Sequence, residues 1–240
     1  MWVIPVLILG AAAWLYQQAV HQERQLSQVS LIQVFTAKGE TRHVVLPDSS
    51  EVWVNGGSAL VYPSVFLSDR CVTLMGEAYF KVRHHEEKPF LVSINQLTLR
   101  DLGTTFNVSS FPDTPRTLVT LESGALSVDA PKRSYLLKPD EQLSYSTRTG
   151  AVTVRNVAAS DYTSWRNGIV CVNDEDFRAV LRQLEQTYGV TFHVQTARYD
   201  NQRVRMHFDR HESLSKILSV FAALVPEMKY EVDGKDVYIR

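Results

Sequence analysis

Four residues that could bind a metal ion lie in a row at positions 84–87, where the sequence reads His-His-Glu-Glu. Imidazole nitrogens and carboxylate oxygens are common zinc ligands. Neighbouring side chains of an extended segment point to opposite faces, so these four groups cannot converge on one ion. The sequence therefore predicts a solvated hairpin loop here and no metal site. The other histidines share no evident site; they are His21, His43, His193, His207 and His211.

Two pairs of carboxylates could be the acid and base of a hydrolase, Asp48 with Glu51 and Asp140 with Glu141. Each pair flanks Pro or Ser in a predicted turn, where Asp is favoured because its side chain bonds the local backbone. Ser58 follows a glycine but lacks the pattern of a nucleophile elbow. We therefore expect no enzyme, no catalytic residue and no cofactor.

The composition is that of a globular protein. The chain has 240 residues, of which 45% are hydrophobic, and this length favours about two domains. A net charge of -1 and the lack of a basic stripe argue against nucleic acid as a partner. Cys71 and Cys171 could pair in an oxidising compartment. We favour two buried, small hydrophobic residues instead, because both lie in apolar, strand-like contexts.

The N-terminal residues are apolar enough to cross a membrane. Residues 2–16 carry no charged side chain, and about 20 residues of helix cross a bilayer core of about 30 Å. We predict a transmembrane helix at 1–20 and a juxtamembrane stalk at 21–32. A cleaved signal peptide is the alternative, with small residues at Ala11–Ala13. No basic residue precedes the apolar run, which disfavours that alternative.

Polar and apolar residues alternate in several predicted strands between 33 and 156. The clearest pairs of apolar positions are Val52 and Val54, Leu97 and Leu99, Val119 and Leu121, Leu126 and Val128, and Val152 and Val154. Gly, Pro, Asn and Asp interrupt the pattern at intervals of about 8 to 12 residues, as is typical of a sandwich or roll. We predict an all-β domain, sandwich-like or roll-like, at 33–156.

The pattern changes after this domain. Residues 157–168 predict a short connecting helix that ends at Gly168. Beyond it, apolar residues lie on one face of an amphipathic helix at Phe177, Val180, Leu181, Leu184 and Tyr188. Asn173 with Asp176 resembles a capping box, and Gly189 is the expected stop. A strand at 190–194 follows.

The same order of elements is repeated in the rest of the chain. A strand at 203–208 precedes a cap formed by Asp209 and Glu212. A second apolar helix face follows, with Leu214, Ile217, Leu218, Phe221 and Ala222. Two further strands are joined at 233–234 by Asp-Gly, a strong hairpin signal. We predict a small α/β domain of two βαβ-like halves at 169–240, too small for a Rossmann fold.

Six ordered motifs carry a resemblance to a known family. They are LPDSSEVWVNGGSALVYP (46–63), GEAYFKV (76–82), PFLV (89–92), DLGTTFNVSSFPD (101–113), VTLESGALSV (119–128) and LKPDEQLSY (137–145). In this order and spacing they resemble the periplasmic region of the FecR family of membrane anti-sigma regulators. The C-terminal pattern resembles the secretin and TonB short N-terminal domain, which relatives of this kind carry.

The resemblance implies a function that the residues alone do not. FecR proteins relay the state of a TonB-dependent outer-membrane transporter to an extracytoplasmic-function sigma factor. The resemblance also implies a single-pass inner-membrane protein whose C-terminal bulk lies in the periplasm. There the C-terminal domain would bind the transporter's signalling domain. Relatives bind the sigma factor through a cytoplasmic segment that is N-terminal to the transmembrane helix, whereas this sequence begins at the predicted transmembrane helix. The alternative function is a structural or assembly factor of the cell envelope.

One strand is a candidate for binding the partner. Between 203 and 208, Arg203, Arg205 and His207 alternate with apolar residues. An ordinary half-buried strand with a solvated polar face would show the same pattern. Because an exposed strand edge suits strand addition, we expect these three residues to border a partner site.

Overall fold

The computed structural model describes Trp14, residues 16–18, residues 29–101 and residues 103–240. Most of the predicted transmembrane helix at 1–20 and most of the predicted stalk lie outside the described residues. Within the part of the chain that is described, no helix is both long enough and apolar enough to cross a bilayer. Strand β1 begins at Leu31, so the end of the predicted stalk is already part of a sheet.

Thirteen strands of the described residues form the N-terminal β domain. They are β1 (Leu31–Phe35), β2 (Arg42–Val45), β3 (Glu51–Val54), β4 (Ala59–Pro63), β5 (Arg70–Lys81), β6 (Phe90–Ile94), β7 (Leu97–Asp101), β8 (Thr105–Ser110), β9 (Arg116–Ser123), β10 (Leu126–Asp129), β11 (Ser134–Leu137), β12 (Glu141–Ser146) and β13 (Val152–Asn156). The expectation of a β domain in this part of the chain is confirmed.

The long strand β5 belongs to two sheets, which we call sheet A and sheet B. Sheet A has the order β1-β4-β5-β6-β7-β10-β11, and sheet B has the order β2-β3-β5-β8-β9-β12-β13. The change of partners occurs at Gly76, whose φ of +96° favours glycine. A side chain here would place Cβ 2.3 Å from the Ser58 hydroxyl.

The inner faces of the two sheets form one core. Alternate residues are buried as the sequence predicts, including Val52 on β3, Leu99 on β7 and Val119 on β9. Phe80 and Phe106 stack in its centre with ring centroids 5.0 Å apart. The pattern fails only at the end of the domain. Val154 on the terminal strand β13 is exposed, because no described strand covers that edge.

The loop at 84–87 is solvated, as predicted, but it is not a hairpin. Strands β5 and β6 are parallel, so the loop carries the chain from sheet B back to sheet A. A hairpin requires antiparallel strands. His84 and Glu86 are exposed, with 3.9 Å between the imidazole Nε2 and a carboxylate oxygen. The described residues contain no cluster of three or more side chains suited to a metal ion.

A connecting segment and a small α/β domain follow. Their elements are α1 (Ala159–Thr163), a 3-10 helix (Ser164–Asn167), β14 (Ile169–Asp176), α2 (Phe177–Tyr188), β15 (Thr191–Val194), β16 (Arg203–Asp209), α3 (Leu214–Leu224), β17 (Tyr230–Asp233) and β18 (Asp236–Ile239). Gly168 ends the connecting segment with a φ of +87°, as predicted.

The two βαβ-like halves pair with each other through two pairs of strands. Strand β14 of the first half is antiparallel to β16 of the second, and β15 is parallel to β18. The predicted hairpin joins β17 to β18. Leu184 on α2 and Leu218 on α3 are fully buried, which confirms the two predicted helix faces.

The helix caps differ from the prediction by a few residues. Asp176 itself is the N-cap of α2 and accepts a hydrogen bond from the Ala179 backbone at 2.8 Å, whereas Asn173 lies in the preceding strand. Ser213 caps α3 in place of Asp209. Both Asp and Ser are good caps, so the sequence offered several adjacent candidates. Gly189 ends α2, as predicted.

Candidate functional site

The three predicted partner-binding residues share the exposed face of β16. Arg203, Arg205 and His207 are exposed, and the residues between them are buried. The guanidinium of Arg203 lies 3.1 Å from the Asp174 carboxylate, which raises the pKa of Arg203 and lowers that of Asp174. Among the described strands, β16 pairs only with β14, so its other edge is open.

The connecting segment packs onto the outer face of sheet B. The indole of Trp165 is almost fully buried and donates a hydrogen bond of 3.1 Å to the Asn107 side-chain oxygen. The Thr163 hydroxyl donates to Glu122 at 2.9 Å, and the Ala159 backbone donates to Asp140 at 3.0 Å. The carboxylate of Asp140 thus holds the start of the connecting segment against the β domain.

Tyr79 lies beneath this segment and ties it to β5. Its hydroxyl donates to the Glu122 carboxylate, and the Arg166 guanidinium lies 4.0 Å from its ring centroid. Burial, followed by the hydrogen bond to Glu122 and the charge of that carboxylate, raises the pKa of Tyr79 to about 12. The aromatic ring and the ion pair between Arg166 and Glu122 therefore join the connecting segment to the β domain.

Glu77 is a half-buried carboxyl group at the interface. One of its oxygens accepts from the Asn55 amide at 2.8 Å and the other from the Asn107 amide at 2.9 Å. Burial raises the pKa of Glu77, and the two hydrogen bonds oppose that shift. Because Asn107 also accepts from Trp165, the carboxyl group is linked to the connecting segment.

A second contact joins the end of α2 to glycine turns of the β domain. The Gly39 amide donates to the Gln186 carbonyl at 2.8 Å. A Cβ at Gly56 would lie 2.6 Å from the same carbonyl oxygen, so only glycine permits this approach. Lys38 forms an ion pair of 3.0 Å with Glu185, and Arg210 donates to Thr41 at 2.6 Å.

Beside these contacts the two domains leave a cleft of about 420 Å³. Its floor is the outer face of sheet B, and its other wall is formed by β14 and α2. Both charge signs are present; the charged side chains are Glu77, Asp113, Arg116, Arg155, Asp161, Asp174, Glu175, Asp176, Arg182, Arg203 and Arg210. Arg203, the first of the predicted partner-binding residues, therefore also borders this cleft.

The other residues that could do chemistry have structural roles. Asp48 forms a hydrogen-bonded ion pair of 2.8 Å with the buried Arg70, and Glu51 contacts Lys81 and His43. Both cysteines are free, and they are half-buried rather than buried as the sequence predicts. Cys171 lies 3.3 Å from the Ser164 hydroxyl in the connecting segment.

Sequence reasoning missed the interface as a candidate site. The paired glycines at 56–57 could have indicated a close approach of backbone. Trp165 was assigned to the connecting helix, but its partner Asn107 is 58 residues away in the sequence. No sequence pattern marks Glu77 as an interface residue, because it occupies an outward position of a regular strand.

Comparisons with known proteins agree with this architecture. The family model of the FecR protein matches residues 32–127, and that of the FecR C-terminal region matches residues 169–239. Two crystal structures of a candidate anti-sigma factor from Parabacteroides distasonis ATCC 8503, at 2.50 and 1.65 Å resolution, are similar to this chain. Each has a TM-score of 0.82 and 26% sequence identity, and the alignments cover 88% and 87% of this chain and 98% of those chains.

A comparison with curated protein sequences found no match. The two family models fall on the two domains described above and together account for more than half of the chain. The structural likeness extends across both domains and the segment between them. The chain is a member of the FecR family of anti-sigma regulators.

Proposed function

We propose that this protein relays the state of a TonB-dependent outer-membrane transporter to an extracytoplasmic-function sigma factor. In this proposal the apolar residues at 1–20 cross the inner membrane once, and the two domains lie in the periplasm. The protein acts through binding and is not an enzyme. The anti-sigma family supports a sigma factor as one partner, and the remainder of the relay extends that assignment.

The observation that carries the proposal is the close coupling of the two domains. A signal relay needs a receiving surface whose occupation changes the free energy of another part of the molecule. The C-terminal domain is joined to sheet B through Trp165, Arg166 and the end of α2. Binding to the C-terminal domain can therefore alter the β domain, which is nearer in sequence to the apolar N-terminal residues.

The receiving surface in this proposal is the open edge of β16. Its exposed Arg203, Arg205 and His207 orient an approaching signalling domain, because charges at an interface act mainly on orientation and association rate. The unpaired backbone groups of the edge contribute strand-to-strand hydrogen bonds.

We expect Arg203→Glu combined with Arg205→Glu to weaken binding to the transporter's signalling domain by about tenfold or more. The matched control is Lys229→Glu with Lys235→Glu, which makes the same charge change at exposed positions of the same domain. Calorimetric titration with the full-length protein in detergent measures both affinities. Equal affinities for the two double variants would remove β16 as the receiving surface.

The proposed topology has its own test. A reporter fused after Arg240 should be active only when it requires the periplasm. Activity of a reporter that requires the cytoplasm would refute the periplasmic location. An envelope assembly factor would show the same topology, but deleting it would leave expression from the sigma factor's promoters unchanged.

A further inference from the structure

Glu175 is a half-buried carboxylate in the cleft between the two domains, and no described residue pairs with it. Among the described residues it makes no hydrogen bond and no ion pair within 4 Å. Arg155, Arg203 and Arg116 act on it only through longer-range electrostatic attraction. Burial is the largest influence on its pKa, which is raised. A carboxylate that is partly shielded from water and lacks a paired cation gains more from a cationic ligand than a fully solvated carboxylate does.

A β-bulge brings this carboxylate to the cleft. The pairing of β14 with β16 shifts register between Val172 and Glu175, and Asp174 has a φ of +54°. As a result four consecutive polar side chains, at 173–176, line the cleft. A regular strand would present only every second residue to one side. Bulges often re-aim side chains beside functional sites.

The other acidic groups of the cleft are occupied or exposed. The Glu77 carboxyl group accepts from the Asn55 and Asn107 amides. The Asp161 carboxylate accepts from the Asn173 amide, Asp174 pairs with Arg203, and Asp176 caps α2. Asp113 is exposed to water. Glu175 is therefore the half-buried acidic group that remains free to bind a cationic group.

Two arginines supply the opposite charge. Arg116 on β9 and Arg182 on α2 line the cleft, and within the described part of the chain neither guanidinium has a hydrogen bond or ion pair. The remaining arginines of the cleft are engaged by the protein itself. Arg155 donates to Gln142 at 2.8 Å, and Arg210 donates to Thr41 at 2.6 Å.

The mixture of charges selects the kind of ligand. A metal ion or an inorganic anion would meet charges of its own sign in the cleft. A polypeptide carries both signs at side-chain spacing, and a volume of about 420 Å³ lies within the range of small-ligand sites. The end strand of sheet B, β13, also contributes Thr153 and Arg155 to the cleft, and its open edge offers backbone groups to an extended chain.

We propose that the cleft between the domains binds an extended peptide that carries both a basic and an acidic side chain. Glu175 binds the basic group, and Arg116 with Arg182 binds the acidic group. Peptide binding at this site is independent of the relay proposed above. Its occupant is either a free peptide or an internal segment of another protein, since both have the same chemistry.

Selection from a displayed library of random heptapeptides on the full-length protein in detergent tests the proposal. We expect the selected peptides to combine Lys or Arg with Asp or Glu. A synthetic consensus peptide should bind about tenfold or more weakly to Glu175→Gln, and to Arg116→Gln with Arg182→Gln, than to the wild type. Glu86→Gln is the control, because Glu86 lies in an exposed loop and should leave the affinity unchanged.

A second arm leaves the protein unaltered and so does not depend on the folding of the variants. Acetylating the lysine of the consensus peptide should weaken its binding to the wild type by about the same factor. Capping both termini of the consensus peptide removes its terminal charges and so distinguishes the two kinds of occupant. Binding should survive capping if the natural occupant is an internal segment of a protein, and should be lost if it is a free peptide. Selected peptides without paired charges, or wild-type affinity for Glu175→Gln, would overturn the proposal.

Discussion

The carboxyl group of Glu77 is held between two side-chain amides, and among the described residues no cation neutralises it. Burial therefore raises its pKa above the value of about 4.3 that it has in an unfolded chain. The folded protein holds this proton more tightly than the unfolded chain does. Ionisation of Glu77 thus opposes folding.

The sign of the pH dependence follows from this shift. The stability that Glu77 contributes is fully present below the unfolded pKa and is lost as the pH rises through the folded pKa. We expect the free energy of unfolding of the wild type to fall, relative to that of Glu77→Gln, as the pH rises above about 4. The relative change is on the order of 1 kcal/mol for each unit by which the pKa is raised.

Urea titrations of both proteins at several pH values measure this difference. Glu86→Gln serves as the matched control, because its carboxylate is in an exposed loop and its curve should run parallel to that of the wild type. Parallel curves for the wild type and Glu77→Gln would show that Glu77 titrates alike in the folded and unfolded states.

At the scale of elements, the end of α2 fits against turns of the β domain because those turns carry glycine. A methyl group at Gly56 would lie 2.6 Å from the Gln186 carbonyl oxygen, which is backbone and cannot rotate away. Either the turn or the helix must then shift. The hydrogen bond from the Gly39 amide to the same carbonyl would lengthen or break.

We expect Gly56→Ala to lower the free energy of unfolding by about 1 to 3 kcal/mol, as overpacking does. The Gly39 amide should exchange its hydrogen faster, which hydrogen-exchange mass spectrometry can measure. The control for hydrogen exchange is Gly150→Ala, where an added methyl group has no neighbour within 4 Å. The φ of +69° at Gly150 lowers the stability of this variant, but the Gly39 amide should keep its protection because the methyl group contacts nothing. Unchanged exchange in Gly56→Ala would mean that the turn yields without disturbing α2.

At the scale of the whole molecule, the connecting segment makes the two domains interdependent. Trp165 is buried against sheet B, and its indole reaches Glu77 through Asn107. A packed connection of this kind favours a single unfolding transition for both domains, whereas a solvated linker would allow two.

We expect Trp165→Ala to destabilise the protein by about 3 kcal/mol and to separate the unfolding of the two domains. Differential scanning calorimetry should show one transition for the wild type and two for the variant. Trp53→Ala is the matched control, since Trp53 lies beside Tyr79 on the same outer face but outside the connecting segment. A single transition in Trp165→Ala would assign the coupling to the contacts of α2 instead.

The sequence alone determined the faces of the strands and helices, and its six ordered motifs indicated the family. Burial of Val52, Val119, Leu184 and Leu218 follows from periods of 2 and 3.6 residues, which depend only on neighbouring positions. The stop at Gly189 and the hairpin between β17 and β18 are equally local, because they depend on the conformational freedom of glycine.

Only the tertiary structure decided what lies between the domains. The parallel return of β5 to β6 depends on two sheets sharing one strand, which no local pattern encodes. Glu77, Asn107 and Trp165 meet although the last two are 58 residues apart, and Glu175 reaches the cleft through a register shift. Burial and pKa at these positions depend on which surfaces pack together, and sequence periodicity carries no information about that choice.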